Sequence, residues 1–297
     1  MPVMPAAIRT RFFVFGLPKS GTTWLQMLLD AHPEISCPSE HQLSHFLDAL
    51  PKLITDYNIV LNEIDRRTAN QGATLFGNDD LLAITRAIAD RCIESGARRK
   101  QAAIAGIKDN TLVGHLDLFQ QLYPEAHFLC IVRDPRDTAL SSWHHNNRVE
   151  AGFRKRAPDF PNWAAQTWTR WCDLYRTAIE RAAIERAVIE RAVIERAGAA
   201  ATISTFSILR YEDLIGPDRE TTLAAVLAQL GAARNPATID GLFAATELGR
   251  LRQGAAAPFF RVGRAGGWRE AAESANLPPM PAEMQALLAH FGYPPAA

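Results

Sequence analysis

The stretch RFFVFGLPKSGTTWLQMLLDAH, residues 11–32, decides how this chain folds. Its first seven residues form a short apolar run bounded by glycine and proline, which reads as a buried strand. The last eleven place Trp24, Leu25, Leu28 and Leu29 at the spacing of an amphipathic helix that stops near His32 and Pro33. A strand, a glycine-containing turn and a helix N-terminus in succession make a ready anion site, because backbone N–H groups point outward there and the helix dipole favours negative charge.

GLPKSGTT (16–23) nearly fits the phosphate-loop pattern G-x-x-x-x-G-K-[ST]. The departure is informative: Thr22 stands where nucleoside-triphosphate enzymes place lysine, and the lysine comes three residues earlier, at Lys19. Lys19 would reach a phosphate-like group from the opposite side of the loop, which disfavours ordinary ATP or GTP chemistry. Taken alone, the segment also reads as a plain strand-to-helix turn with an exposed lysine.

Working outward, AAIAGIKD (102–109) and HFLCIVRD (127–134) read as strands joined by a helix through HLDLFQQLYP. That spacing is a βαβ unit, so the two strands are expected to be parallel and buried. Residues 47–100 read as mixed loop and short helix, with a helix in DLLAITRAIADRCIES capped by Asp79 or Asp80. Helices are expected at DTALSSWHHNN and NWAAQTWTRWCDLYRTAIERA, separated by the basic loop AGFRKRAPDFP. The second runs into a tandem repeat (AIERA, AIERA, VIERA, VIERA) at about 178–197. Each five-residue step turns the apolar position about 140° round an ideal helix, so the isoleucines make no single stripe. The repeat reads as a helical extension into solvent; a homodimerisation surface is the alternative. A strand at TISTFSILRYEDL, a helix at RETTLAAVLAQLG and a last helix at PAEMQALLAHFGY complete the chain. The expectation is one α/β domain over 1–297: a three-layer sandwich with a central, mainly parallel sheet flanked by helices.

Composition sets the limits. The 297 residues are 47% hydrophobic and 22% charged, as in a globular chain with a sizeable core. Lys plus Arg and Asp plus Glu number 32 each, so no global field points to nucleic acid or an anionic membrane. Cys37, Cys92, Cys130 and Cys172 are widely spaced, without a C-x-x-C pair. The first residues hold no apolar run long enough for a signal peptide or a membrane span, so a cytoplasmic protein is the default expectation.

PKSGTTW (18–24) resembles the 5′-phosphosulfate loop of the sulfotransferases that use 3′-phosphoadenosine 5′-phosphosulfate, PAPS. RDPRDTALS (133–141) is similar to that family's 3′-phosphate motif, a strand-ending arginine followed eight residues later by serine. RYEDL (210–214) resembles the segment whose tyrosine contacts the nucleotide, and FFRVGRAGGW (259–268) the C-terminal loop that closes over the 3′-phosphate. The four motifs stand in the family's order. The resemblance implies a P-loop-like sulfotransferase with PAPS as co-substrate, the 3′,5′-bisphosphate PAP as product, and no metal. It implies that Lys19 stabilises the leaving phosphate. Ser20, Gly21, Thr22 and Thr23 would bind the phosphosulfate through backbone and hydroxyl donors, and Trp24 would stack on adenine. Arg133, Ser141, Arg261 and Gly263 would hold the 3′-phosphate, with Val262 contributing backbone only; Tyr211 and Thr246 would lie on the adenine side.

The catalytic base is less settled. In the cytosolic branch a histidine follows a lysine by two residues on the central strand, but this chain has Asn110 there, after Lys108 and Asp109. Carbohydrate-modifying and many bacterial members use a glutamate soon after the first helix, and HPEISCPSEHQLSHF (32–46) places Glu40 near that position. Glu40 is the first choice, His41 the second and His115 the third; Glu34 reads as a surface residue. His41 and His45 share a spacing seen in metal sites but lack a third ligand. The acceptor, a sugar, lipid or small molecule with a hydroxyl or amine, is expected in a pocket built by 44–100 and 144–165. The competing readings are a P-loop kinase and a non-catalytic nucleotide-binding scaffold.

Overall fold

The computed structural model describes residues 7–68, 74–195, 206–247, 264–271, 273 and 276–295, with side chains excluded for 186–195. Five strands form one parallel sheet: β1 (Thr10–Gly16), β2 (Ile35–Ser36), β3 (Ile104–Lys108), β4 (His127–Val132) and β5 (Phe206–Arg210), in the order β2-β3-β1-β4-β5. The chain first moves from β1 to the β2–β3 side and then returns to the β4–β5 side. That reversal leaves a crevice at the carboxyl ends of the strands, where open α/β sheets bind ligands.

Side-chain alternation splits the core into two layers. Phe12, Val14, Leu129 and Ile131 face a cluster with α1 (Thr22–Ala31), α9 (Arg219–Gln229) and α10 (Pro236–Ala245). Phe13, Phe15, Phe128 and Cys130 face the opposite cluster, built on α3 (Asn78–Lys100), α4 (Leu116–Leu122), α5 (Pro135–Val149), α7 (Phe160–Glu195) and α11 (Ala282–His290). Phe13 is fully buried and meets Phe119, Tyr123 and Phe128 at ring-centroid distances of 5.1, 5.3 and 5.2 Å. Cutting it to alanine would cost about 3–5 kcal/mol, the range for a large buried aromatic. The three-layer α/β architecture is therefore the one expected.

Local chemistry explains the turn after β4. Asp134 caps α5 by accepting from the Arg136 backbone N–H at 2.9 Å, and Pro135 occupies the first helical position, where no N–H is needed. Four local expectations are corrected. Residues 44–67 form one helix, α2 (Ser44–Arg67), rather than loop and short helix. Asp80 does not sit at the N-cap of α3; from the third helical position its carboxylate accepts from Gly77 N–H at 2.8 Å. The basic loop contains a short helix, α6 (Phe153–Arg156), and YED begins another, α8 (Tyr211–Ile215), instead of ending a strand. The α7 backbone is helical to Glu195, and within the repeat Ile179 packs on the core while Ile184 is exposed. That alternation follows from the five-residue step.

Candidate active site

The loop from Leu17 to α1 is held from beneath. Tyr175, fully buried on α7, donates its hydroxyl to Ile131 O at 2.7 Å, receives Leu17 N–H at 3.3 Å and lies 3.2 Å from Ser20 Oγ. Gly21 has φ +98°, and a Cβ there would fall 2.4 Å from Tyr211 Cδ2, so both conformation and space require glycine. Lys19 also takes a left-handed conformation, φ +75°, at a cost of order 1 kcal/mol for a side-chain-bearing residue. Its carbonyl accepts from Arg133 Nη1 at 3.1 Å.

Arg133, at the end of β4, joins the layers of the site. Its Nη2 donates to Arg264 O at 3.1 Å, its guanidinium lies 4.6 Å from the Tyr211 ring, and its buried Nε has no hydrogen-bond partner among the described residues. Asp137, one turn into α5, accepts from Gly266 N–H at 2.6 Å and Trp268 N–H at 2.9 Å, fixing the segment after 264 against the cavity. Burial, the largest influence, holds the Asp137 carboxyl above the ordinary range.

Glu40 is placed by the end of β3. Buried Asp109 accepts from Leu43 N–H and Thr111 N–H, each at 2.9 Å, and Lys108 N–H donates to Pro38 O at 3.2 Å. The segment carrying Glu40 is thereby stitched to the strand. The almost wholly buried Lys108 ammonium lies 2.7 Å from Glu40 Oε1, which also accepts from Asn110 Nδ2 at 2.7 Å. Asn110, two residues after Lys108, is thus a hydrogen-bond donor to the carboxylate.

Lys19, Lys108, Arg133 and Arg148 concentrate positive charge in a chain of zero net charge. Burial first, then repulsion from Arg148, Arg133 and Lys108, lowers the Lys19 ammonium pKa to about 8. Burial, followed by Lys19 and Arg148, also pushes the His145 imidazole downward.

A cavity of about 1180 Å³ collects most of the expected residues. Lys19, Gly21, Thr22, Thr23, Trp24, Glu40, Arg133, Ser141, Tyr211 and Thr246 all line it. Trp24 sits 6.2 Å from Tyr211 and 6.3 Å from Phe243 between ring centroids, forming one aromatic wall. Ser20 and His41 depart from expectation. Ser20 is fully buried with its hydroxyl against Tyr175, outside the cavity wall, so only its backbone remains for a ligand. Thr246 keeps its place on the cavity wall, its carbonyl receiving Trp24 Nε1 at 3.4 Å while its hydroxyl donates to Leu242 O at 2.8 Å. His41 does not line the cavity, and its Nε2 is buried without a partner among the described residues.

His115 likewise lies off the cavity, 3.2 Å from Asp48. Glu34 is more than a surface residue, since its carboxylate accepts from Ala233 N–H at 2.9 Å. Arg261, Val262 and Gly263 lie outside the described residues. Among the described residues 44–100 contribute nothing to the wall, while Ser142, His144, His145, Asn146 and Trp163 from 144–165 and its flank do. Sequence reasoning gave no role to Lys108, Asp109, Tyr175 or Phe243. The lysine carried a signal in its place just before the anomalous Asn110; the others depend on tertiary contacts. No group of three or more His, Cys, Asp or Glu side chains among the described residues is arranged to hold a metal ion.

A family model described as the sulfotransferase family matches residues 11–236. Nodulation protein NoeE of Sinorhizobium fredii is 31% identical over 139 residues, covering 43% of this chain and 30% of that protein. The protein-tyrosine sulfotransferase of Drosophila melanogaster is 28% identical over 130 residues, covering 43% of this chain and 24% of its own length. The chain therefore spans under a third of these relatives. A mouse sulfotransferase complexed with PAP superposes with TM-score 0.52 at 16% identity, covering 96% of this chain and 84% of that one. The sulfotransferase domain of the Synechococcus PCC 7002 olefin synthase gives TM-score 0.52 at 17% identity, covering 99% and 98%. At such identities these two structures speak for the fold alone.

Proposed function

Because the chain belongs to the sulfotransferase family, we propose that it transfers the sulfuryl group of PAPS to an acceptor hydroxyl or amine. The observation that carries this reading is a single cavity lined by the phosphate loop, Arg133, Ser141 and the Glu40–Lys108–Asn110 cluster. The donor's chemistry fits the residues present. Its phosphate groups match a local excess of cations, and the buried Arg133 Nε, without a partner among the described residues, matches the need of a 3′-phosphate for a fork of donors. Plain adenosine nucleotides would leave that fork unused.

Sulfuryl transfer, like phosphoryl transfer, rests on in-line positioning and stabilisation of charge. In the proposed mechanism the backbone N–H groups of 20–23 and the Thr22 and Thr23 hydroxyls hold the donor's 5′ end. Lys19 neutralises charge that develops on the leaving phosphate oxygen. Arg133 and Ser141 anchor the 3′ end, and Trp24, Tyr211 and Phe243 form the wall for the base. Glu40 takes the acceptor proton as the acceptor oxygen or nitrogen bonds to sulfur and the sulfur–oxygen bond to the phosphate breaks. Lys108 and Asn110 fix the carboxylate in place for that transfer.

The acceptor half carries Asn110, His145 and Asn146, which supports a sugar, lipid head group or small molecule with a free hydroxyl or amine. The similarity to protein-tyrosine sulfotransferases adds a phenolic hydroxyl to that class. Four unpaired cysteines favour a reducing compartment and support a cytoplasmic setting. No helix among the described residues is long and apolar enough to cross a membrane.

The test uses radiosulfur-labelled PAPS against a panel of hydroxyl and amine acceptors, with γ-labelled ATP in parallel. Labelled product from PAPS, lost in Lys19→Ala, supports the reading. Transfer from ATP with Mg²⁺ and none from PAPS would sink it in favour of a kinase.

A further inference from the structure

Helix α2 carries an apolar face on the outside of the molecule. Phe46, Leu53, Tyr57, Val60 and Ile64 are 53%, 64%, 48%, 56% and 49% exposed. With half-buried Leu50 they follow one another at steps of four, three, four, three and four residues. That is the strict 3.5-residue repeat of a coiled-coil seam, a pattern satisfied when a second helix lies along it. The row that faces the body of the protein is a different one, Leu47, Ile54 and Leu61, about a quarter turn round the helix. Pro51 lies roughly 140° from the seam and so leaves it clear.

We propose that two copies of this chain associate through this face, α2 against α2 in antiparallel orientation. The spacing reads the same from either end, which is what an isologous contact requires. Reversed pairing about the midpoint sets Phe46 against Ile64, Leu50 against Val60 and Leu53 against Tyr57 of the second copy. Every apolar residue then meets another, in the alternating layers that antiparallel coiled coils use. At about half exposure, the five residues leave roughly 500 Å² of apolar surface on each chain, at the upper end of what a monomer commonly leaves open. Two such faces bury about 1,000 Å² together, the lower bound for a specific interface. Phe76, itself exposed and 5.5 Å from the Tyr57 ring, widens the patch.

The experiment is sedimentation equilibrium of the full chain at micromolar concentrations. The expected mass is twice 32.8 kDa for the wild type and a single 32.8 kDa for Leu53→Glu/Val60→Glu, with unchanged circular dichroism, since both residues are exposed. Mixing Leu53→Cys with Tyr57→Cys under mild oxidation should give a disulfide-linked heterodimer, at a yield at least tenfold above that from Leu53→Cys mixed with Phe46→Cys. A wild-type monomer at ~50 µM would overturn the proposal. So would a dimer that survives the double glutamate variant, which would move the contact elsewhere, for instance to the repeat. A monomer that co-sediments with phosphatidylcholine vesicles would reassign the face to a lipid surface and equally overturn it.

Discussion

Lys19 stands in a conformation that lysine rarely adopts, in a place that lowers its own pKa to about 8. Both features have the same origin, because the turn that shapes the loop also buries the ammonium and, second to that, brings it among Arg148, Arg133 and Lys108. The sign of the pH dependence follows. The useful form is the charged one, so kcat/KM should be full below about 8 and fall roughly tenfold per pH unit above it as the proton leaves. Lys19→Arg should move that alkaline limb upward by more than one unit, since guanidinium does not titrate there. An unmoved limb would assign the titration to another group. Glu40→Gln should hold PAP affinity within about twofold and cut turnover by about 10²–10⁴, measured by calorimetry and single-turnover kinetics. Residues of this kind were largely legible in the sequence, since the motif around Lys19 and the strand-ending Arg133 are contiguous. The engagement of the Ser20 hydroxyl was not legible, because a string of letters does not show that Tyr175 already lies against it.

At the scale of elements, the site is a set of strand ends tied together by buried polar contacts. Gly21 lets the start of α1 press against Tyr211, and Gly21→Ala would drive a methyl group into that ring. The expected outcome is a loss of about 2–3 kcal/mol in stability with at least a tenfold weaker PAP affinity, read by denaturant melts and titration. Asp109→Ala removes the acceptor for Leu43 and Thr111 N–H groups, leaving buried donors unsatisfied at about 1–3 kcal/mol. It should lower kcat more than it raises the PAP Kd, because Glu40 drifts while the phosphate loop stays. Asp109 was invisible to pattern reading, and Lys108 showed only through its place two residues before Asn110; both act through the parallel register that sets Lys108 beside Val14. Tyr175 acts on Leu17 across 158 residues of sequence. Helix α2 was not legible for another reason: the polar stretch from Asp56 onward reads as loop and short helix, and its apolar residues obey a period of 3.5 along an exposed face.

For the whole molecule, a neutral chain has built a local cationic crevice at the carboxyl ends of β1, β3, β4 and β5. Arg133 at the end of β4 and Asp137 on α5 tie this crevice to Arg264 and the segment after it. Ligand binding there should therefore stabilise the entire fold. PAP at a hundredfold excess over its Kd should add about 2.7 kcal/mol, seen as a melting shift of several degrees in differential scanning calorimetry. The most direct measurement of the central claim is a calorimetric titration of the wild type and Arg133→Ala with PAP and, in parallel, with AMP. The wild type should bind PAP at least a hundredfold more tightly than AMP, and Arg133→Ala should erase most of that difference while leaving AMP affinity nearly unchanged. Equal affinity of the wild type for PAP and AMP would contradict a site built for a 3′-phosphorylated donor.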